Sequence, residues 1–259
     1  MGTTAGAGGV HFVQHGAGRP VLVLHGAGVD HRETEACFEP AFAGAADLRR
    51  VYPDLPGMGA TAAPESLRGA DDVLDLLLEF ADAVTGGVPY LLAGHSAGAY
   101  LARAMAARRP ERVAGLALVC PLLPGARDVP AHGVVAGSGD LGDDGFRGYF
   151  VVQTPEMLDR YERFVAPAAA LADAAALARI GERWDLTPDG SPSYPGPTVV
   201  VAGRRDSTVG YAAAVDLLGE HPRASLAVLD DAGHALPHEQ PALLRALLAE
   251  WLERVERAG

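Results

Sequence analysis

VPYLLAGHSAGAYLARAMAARRP, residues 88–110, reads as three pieces in a row. VPYLLAG (88–94) is an apolar run of strand length. GHSAG (94–98) is a Gly-x-Ser-x-Gly turn. AGAYLARAMAARR (97–109) is Ala-rich, carries Arg near its end and stops at Pro110, which predicts a helix. A strand, a sharp turn and a helix lift the middle residue above the carboxyl end of the strand. Gly94 and Gly98 leave room for that turn, so Ser96 is a candidate nucleophile. The helix N-terminus behind it favours a developing anion. With 32 glycines in 259 residues the motif alone does not decide, and its partners must.

A serine is a weak nucleophile until a base, oriented by a third group, takes its proton. TVVVAG (198–203) is a predicted strand, and GRRDSTVG (203–210) places Asp206 just past its end. ASLAVLD (224–230) is the next strand, and DDAGHALPHEQP (230–241) places His234 just past that one. In an open parallel sheet, ligands bind beyond the carboxyl ends of the strands. Ser96, Asp206 and His234 therefore share one rim, in the order Ser, Asp, His. Asp206 also reads as an N-cap for a following helix, with Asp230 and Asp231 as weaker candidates for the acid. His238, in PHEQP, reads as a capping or surface residue. After the strand VLVLH (21–25) comes HGAG (25–28). Acyl transfer builds an oxyanion, and the backbone N–H groups of Ala27 and Ala97 are the candidate donors to it. His25, His95 and Cys120 flank these turns and read as packing residues.

The rest of the chain alternates in the same way. VHFVQ (10–14), the turn GAGRP and VLVLH read as a hairpin leading into a buried strand. DHRE (30–33) reads as a capping box, with Asp30 and Glu33 closing the start of a helix that runs to about Phe42. RRVYPD (49–54) is a strand entering the loop LPGMG, and DDVLDLLLEFADAV (71–84) is an amphipathic helix with acids in its first turn. RVAGLALVC (112–120) is a strand, and STVGYAAAVDLLG (207–219) a capped helix. QPALLRALLAEWLERVER (240–257) closes the chain, with Leu243, Leu244, Leu247, Leu248, Trp251, Leu252 and Val255 at helical spacing. Strands separated by helices predict an α/β fold: a mostly parallel sheet with helices on both faces. Residues 121–197 break the pattern. They hold no convincing buried strand, a Gly/Asp-rich loop (GSGDLGDDG) and two helical stretches. The predicted division is a core of 1–120 and 198–259 with a mainly helical insertion at 121–197. Within it Phe146, Tyr149, Phe150, Met157, Tyr161, Phe164 and Trp184 are candidates for pocket walls or for glue between insertion and core.

Together these motifs resemble the α/β-hydrolase superfamily. HGAG is similar to its H-G-x-G oxyanion loop and DLPGMG (54–59) to its D-x-P-G-x-G loop. GHSAG resembles its nucleophile elbow, GRRD its acid loop and AGH its histidine loop. The resemblance runs from about residue 10 to 257, outside the insertion. It implies a Ser96–His234–Asp206 triad and an Ala27/Ala97 oxyanion hole. It also implies a cap formed by 121–197 that sets substrate choice. Esterases, lactonases, thioesterases, C–C bond hydrolases, haloperoxidases and hydroxynitrile lyases share these motifs. Epoxide hydrolases and haloalkane dehalogenases carry aspartate at the position of Ser96.

Composition bounds the partners. The chain is 49% hydrophobic and 21% charged, which is a globular balance, and its net charge is −12. It has no basic run, so nucleic acid and anionic membrane are not expected partners. No apolar run reaches the roughly 20 residues of a membrane helix. The start shows no signal-peptide pattern, so a cytoplasmic location is expected. Two cysteines are too few for a disulfide framework. No metal-ligand spacing and no phosphate-binding glycine loop is present, so no cofactor is expected. The expectation is a cofactor-free serine hydrolase, monomer or homodimer, acting on a small molecule.

Overall fold

The computed structural model describes residues 3–42, 44–45, 47–125, 128–138, 140–188 and 190–259. The first strands are β1 (Thr3–Ala7), β2 (Val10–His15) and β3 (Arg19–Leu24). Helix α1 (His31–Phe42) follows, then β4 (Leu48–Pro53), α2 (Ala70–Thr85) and β5 (Tyr90–His95). Next come α3 (Ala97–Arg108) and β6 (Val113–Val119). After the insertion, β9 (Thr198–Gly203), α8 (Leu217–Glu220), β10 (Ala224–Leu229), α9 (Leu236–Glu239) and α10 (Pro241–Glu256) complete the chain. The insertion supplies a two-stranded parallel pair, β7 (Ala136–Gly137) and β8 (Val152–Gln153). It also supplies α4 (Asp144–Tyr149), α5 (Pro155–Arg160), α6 (Ala166–Ala169) and α7 (Ala174–Gly181).

The eight-stranded sheet has the order β1-β2-β4-β3-β5-β6-β9-β10, parallel from β4 onward. The predicted hairpin of 10–14 with 21–25 is replaced by another. β2 pairs antiparallel with β1 and with β4, and β3 pairs with β4 and β5 instead. The tight turn is Gly8-Gly9, where φ is +57° and +80°, a conformation that glycine adopts without strain. β3 is buried along nearly its whole length, so its place is inside the sheet and not at a hairpin edge.

Each face of the sheet carries one apolar layer. α2 and α3 cover one face with Leu74, Leu77, Leu101 and Met105. α1 and α10 cover the other with Phe38, Phe42, Leu248 and Trp251. Trp251 is fully buried and its indole Nε1 donates to the Pro197 carbonyl at 3.1 Å. Leu243, placed on the apolar stripe by its spacing, is 48% exposed. The predicted helix at 207–219 is shorter. A 3-10 turn at Ala212–Asp216 leads into α8, and Asp206 caps a turn instead. No single helix among the described residues is long and apolar enough to cross a membrane.

The chain leaves β3, builds β4 on one side through α1, then returns through α2 to build β5 on the other side. The strand order therefore reverses between β3 and β5. In doubly wound sheets the crevice beyond such a reversal binds ligands. The loop 25–28 leaves β3 and Ser96 leaves β5 at that crevice.

Candidate active site

Ser96 sits between β5 and α3 with φ 55° and ψ −120°, a region L-residues rarely adopt. The neighbouring glycines are there for space. A Cβ on Gly94 would lie 2.4 Å from the Gly98 carbonyl oxygen, and one on Gly98 would lie 2.3 Å from that of Leu24. Ser96 N–H donates to the Val119 carbonyl at 3.0 Å, and its carbonyl accepts from Tyr100 and Leu122. The turn is held from three sides while the hydroxyl stays at the crevice.

The structure brings Ser96, His234 and Asp206 together. Ser96 Oγ is 2.9 Å from His234 Nε2, and His234 Nδ1 is 2.8 Å from Asp206 Oδ2. The N–H groups of Thr208 and Val209 donate to Asp206 Oδ1 at 2.9 and 3.0 Å, leaving Oδ2 for the imidazole. The N-cap reading and the acid reading of Asp206 thus describe the same residue. Burial pushes its carboxyl pKa up, but the hydrogen bond and charge of His234 and the two N–H groups outweigh this and hold it low. Asp206 is fully buried and stays an anion. Asp230, by contrast, lies near Arg204 and Arg205 at the surface.

Ala27 and Ala97 line the same cavity as Ser96. The loop carrying Ala27 is pinned by His25. The fully buried imidazole donates from Nδ1 to the Gly26 carbonyl at 2.7 Å and accepts at Nε2 from Leu55 N–H at 2.8 Å. Burial lowers its pKa, which keeps the ring neutral for that double role. Asp54, also fully buried, accepts from His11 Nδ1, His31 Nδ1, His31 N–H and Ala60 N–H. Two of the sequence motifs, HGAG and DLPGMG, are therefore one hydrogen-bonded unit.

Glu33 differs from its predicted role. The Asp30 side chain accepts from the Arg32 backbone N–H and guanidinium and its carbonyl accepts from Glu33 N–H, but the Glu33 side chain does not reach back to close a capping box. Glu33 instead turns inward, and Tyr149 O–H donates to its Oε1 at 2.5 Å. His238 is fully buried, not at the surface. Arg160 Nε donates to its Nδ1 at 3.1 Å, and its Nε2 faces Glu33 Oε1 at 3.6 Å. Burial would raise the Glu33 pKa, but His238, His95 and Tyr149 bring it down to about 2. Nothing in sequence spacing announces this cluster. The one available signal is that Glu33 lies a single turn into the helix fed by the HGAG loop. Glu239, equally unforeseen, accepts from Val151 and Val152 N–H and from Gly233 N–H, at 2.7, 3.1 and 2.7 Å.

Two groups of side chains distant in sequence bring ligand-type atoms within 4.8 Å of one another: His95, Cys120 and His234, and His11, His31 and Asp54. Sequence spacing does not reveal either. In both, the histidines already have protein partners: His234 with Ser96 and Asp206, and His11 and His31 with Asp54. Cys37 and Cys120 are free and buried. Burial pushes the Cys120 thiol pKa well up, which disfavours a second nucleophile there.

The alpha/beta hydrolase family profile matches residues 21–247. The chain belongs to that family. A hydrolase of the alpha/beta superfamily from Oenococcus oeni PSU-1 has the same fold, with a TM-score of 0.89 and 24% identity over 96% of this chain and 97% of that one. A meta-cleavage product hydrolase from Pseudomonas fluorescens IP01 superposes with a TM-score of 0.69 and 22% identity, over 97% of each chain. A curated relative, (E)-2-((N-methylformamido)methylene)succinate hydrolase of Acinetobacter baylyi, is 27% identical over 109 residues. The match spans 42% of this chain and 40% of that protein. This alpha/beta hydrolase shares its fold with proteins described as an esterase and as a meta-cleavage product hydrolase.

The site has two cavities that meet at Ser96. The larger, about 480 Å³, is walled by Leu55, Met58, Leu101, Leu177, Ile180 and Trp184. The smaller, about 140 Å³, is bounded by Glu33, His95, Tyr149, Val165 and His234. Of the predicted wall candidates in the insertion, Trp184 borders the larger cavity and Tyr149 the smaller. Phe146, Phe150 and Met157 form a separate buried cluster, with Tyr161 packed against it. Phe164 lies near the guanidinium groups of Arg160 and Arg163.

Proposed function

We propose that this protein is a serine hydrolase of carboxylic esters, lactones or thioesters whose acyl part is apolar. The observation that carries the reading is the unbroken chain Ser96 Oγ, His234, Asp206 at hydrogen-bond distances, opening on an apolar cavity. His234 Nε2 takes the Ser96 proton as Oγ attacks the acyl carbon. Asp206 accepts from Nδ1–H and stabilises the imidazolium. The N–H groups of Ala27 and Ala97 receive the oxyanion. His234 then gives its proton to the leaving group, and a water deprotonated by the same nitrogen releases the acid. Residues 121–197 act as the cap, through Leu177, Ile180 and Trp184 on the cavity wall.

The relative's succinate substrate is not carried over. A succinate bears two carboxylates, and the described residues around both cavities include no Lys or Arg. A small-molecule substrate and no nucleic acid partner are in keeping with the net charge of −12.

A fluorophosphonate probe read by intact mass and peptide mapping tests the mechanism. The expected result is a single adduct on Ser96, absent in Ser96→Ala and suppressed in His234→Ala, with ester turnover falling by about four to six orders of magnitude in Ser96→Ala. Folded wild-type protein that takes no adduct overturns the triad. An adduct on Ser96 with no hydrolysis across simple esters, lactones and thioesters moves the chemistry to C–C cleavage or cyclisation on the same residues.

A further inference from the structure

His234 borders the smaller cavity and not the larger one. The base protonates the leaving group, so the leaving group departs on that side and the larger apolar cavity receives the acyl part. A third cavity, of about 340 Å³, lies between the start of α2 and the chain that follows α7. Its lining is of the opposite kind and includes Asp71, Asp72, Glu182, Asp185 and Arg183. Ser96, Ala27 and Ala97 do not border it. Gly181 and Trp184 border both this cavity and the apolar one, and Gly181 has no side chain. The Trp184 indole is thus the side chain that stands between them.

The backbone around Trp184 is tied down on both sides. Before it, the Arg183 carbonyl accepts from Ala70 N–H at 2.9 Å. After it, Leu186 N–H donates to the Tyr100 hydroxyl oxygen at 2.9 Å, and Thr187 Oγ1 donates to Asp71 Oδ2 at 2.7 Å. The indole itself is half-buried beside the Tyr100 ring, 6.1 Å between centroids, and its N–H donates to no described residue. A buried indole N–H usually finds an acceptor, whereas this ring is held by contact alone. Its frame is fixed to α2 and α3, so removing the ring opens a passage that the backbone does not close.

We propose that Trp184 is the stop at the end of the acyl cavity. It sets the longest acyl chain accepted, and without the ring a longer chain runs on into the acid-lined cavity. The assignment rests on the ester reading above. The substrate class that follows is an acyl ester of limited length with an uncharged end. A carboxylate at the far end of the chain would meet either an apolar wall or a row of like charges.

The test uses p-nitrophenyl esters from butyrate to dodecanoate, with p-nitrophenyl hydrogen dodecanedioate as the chain with a charged end. In wild type, kcat/KM is expected to fall at the long end of the series. In Trp184→Ala the ratio of kcat/KM for dodecanoate to that for butyrate is expected to rise by about tenfold or more, the effect of burying about two further methylenes. Trp184→Phe, which keeps a ring, is expected to lie nearer to wild type. A general loss of structure lowers every ester together and leaves the ratio where it was. The dodecanedioate is expected to gain less than dodecanoate, by about threefold or more at low salt, and the gap is expected to narrow in about 0.5 M NaCl. Wild type also gives a reading that needs no variant. Of its two tryptophans, Trp251 is fully buried in the core, so a change in emission on filling the cavity reports Trp184. A dodecylphosphonyl adduct on Ser96 is expected to shift the emission to the blue, by displacing water from the indole, and a methylphosphonyl adduct is not. A wild-type profile still rising at dodecanoate, a ratio unmoved in Trp184→Ala, or equal emission from the two adducts overturns the stop and leaves the ester reading standing. Equal gains for the charged and uncharged chain ends overturn the route into the acid-lined cavity. If no ester of the series is turned over by wild type or variant, the ester reading falls and the stop with it.

Discussion

Ser96 shows how one residue takes a conformation it would not choose. Its positive φ is imposed by the strand before it and the helix after it, and the carbonyls of Gly98 and Leu24 leave no space for a Cβ at either flanking glycine. The pattern Gly-x-Ser-x-Gly made this legible, because the steric demand falls on residue types that can be read from a sequence. His31 is the opposite case. Its Nδ1–H donates to Asp54 Oδ1 at 2.7 Å, a contact across 23 positions that no spacing rule announces. Burial disfavours the charged ring, but the hydrogen bond and charge of Asp54 outweigh it and raise the His31 pKa above 6.5. A pKa raised on folding gives stability that is complete below the unfolded value and lost as pH rises through the folded value. The stability of wild type relative to His31→Asn, from urea unfolding, is therefore expected to be largest near about pH 5.5 and to fall toward about pH 8.5. A difference that is flat, or that grows with pH, would contradict the pairing.

Secondary-structure elements were the most legible level where period and punctuation agreed. α2, α3 and α10 lie within a residue or two of their sequence-based bounds, because their apolar spacing and their glycine or proline stops coincide. Misreadings arose where the pattern was local and the pairing was not. Nothing in GAGRP says that β2 seeks β1 and β4 and leaves β3 to the middle of the sheet. In α10 the stripe was read one residue too wide. Trp251 and Leu243 occupy the same helix, yet one is fully buried and the other 48% exposed. Trp251→Ala should cost about 3–5 kcal/mol by urea unfolding, through a cavity and a lost bond to the Pro197 carbonyl. Leu243→Ala should stay within about 0.5 kcal/mol. Equal costs would mean that α10 docks by a different face.

At the scale of the whole molecule, the order Ser, Asp, His along the chain and the alternation of strands and helices were enough to place three distant residues on one rim. The family resemblance implied that the insertion forms a cap, but which of its residues face the cavity was not legible. Ala-rich helices such as α7 show little of what they face, and its Leu177 and Ile180 turn out to wall the larger cavity. A wall of Leu, Met, Ile and Trp predicts how rate depends on chain length. With p-nitrophenyl esters, kcat/KM should rise by about fourfold for each added methylene, at about 0.8 kcal/mol each, until the cavity is full. Ile180→Trp should move that limit to shorter acyl chains and leave acetate turnover unchanged. A flat series would place the acyl group elsewhere.

Glu239 joins two parts that the chain keeps far apart. One carboxylate oxygen holds Val151 and Val152 of the insertion, and the other holds Gly233, the residue before His234. The insertion and the loop carrying His234 thus hang from a single hook. A displacement of Val151 and Val152 is therefore passed through one side chain to the residue that precedes His234.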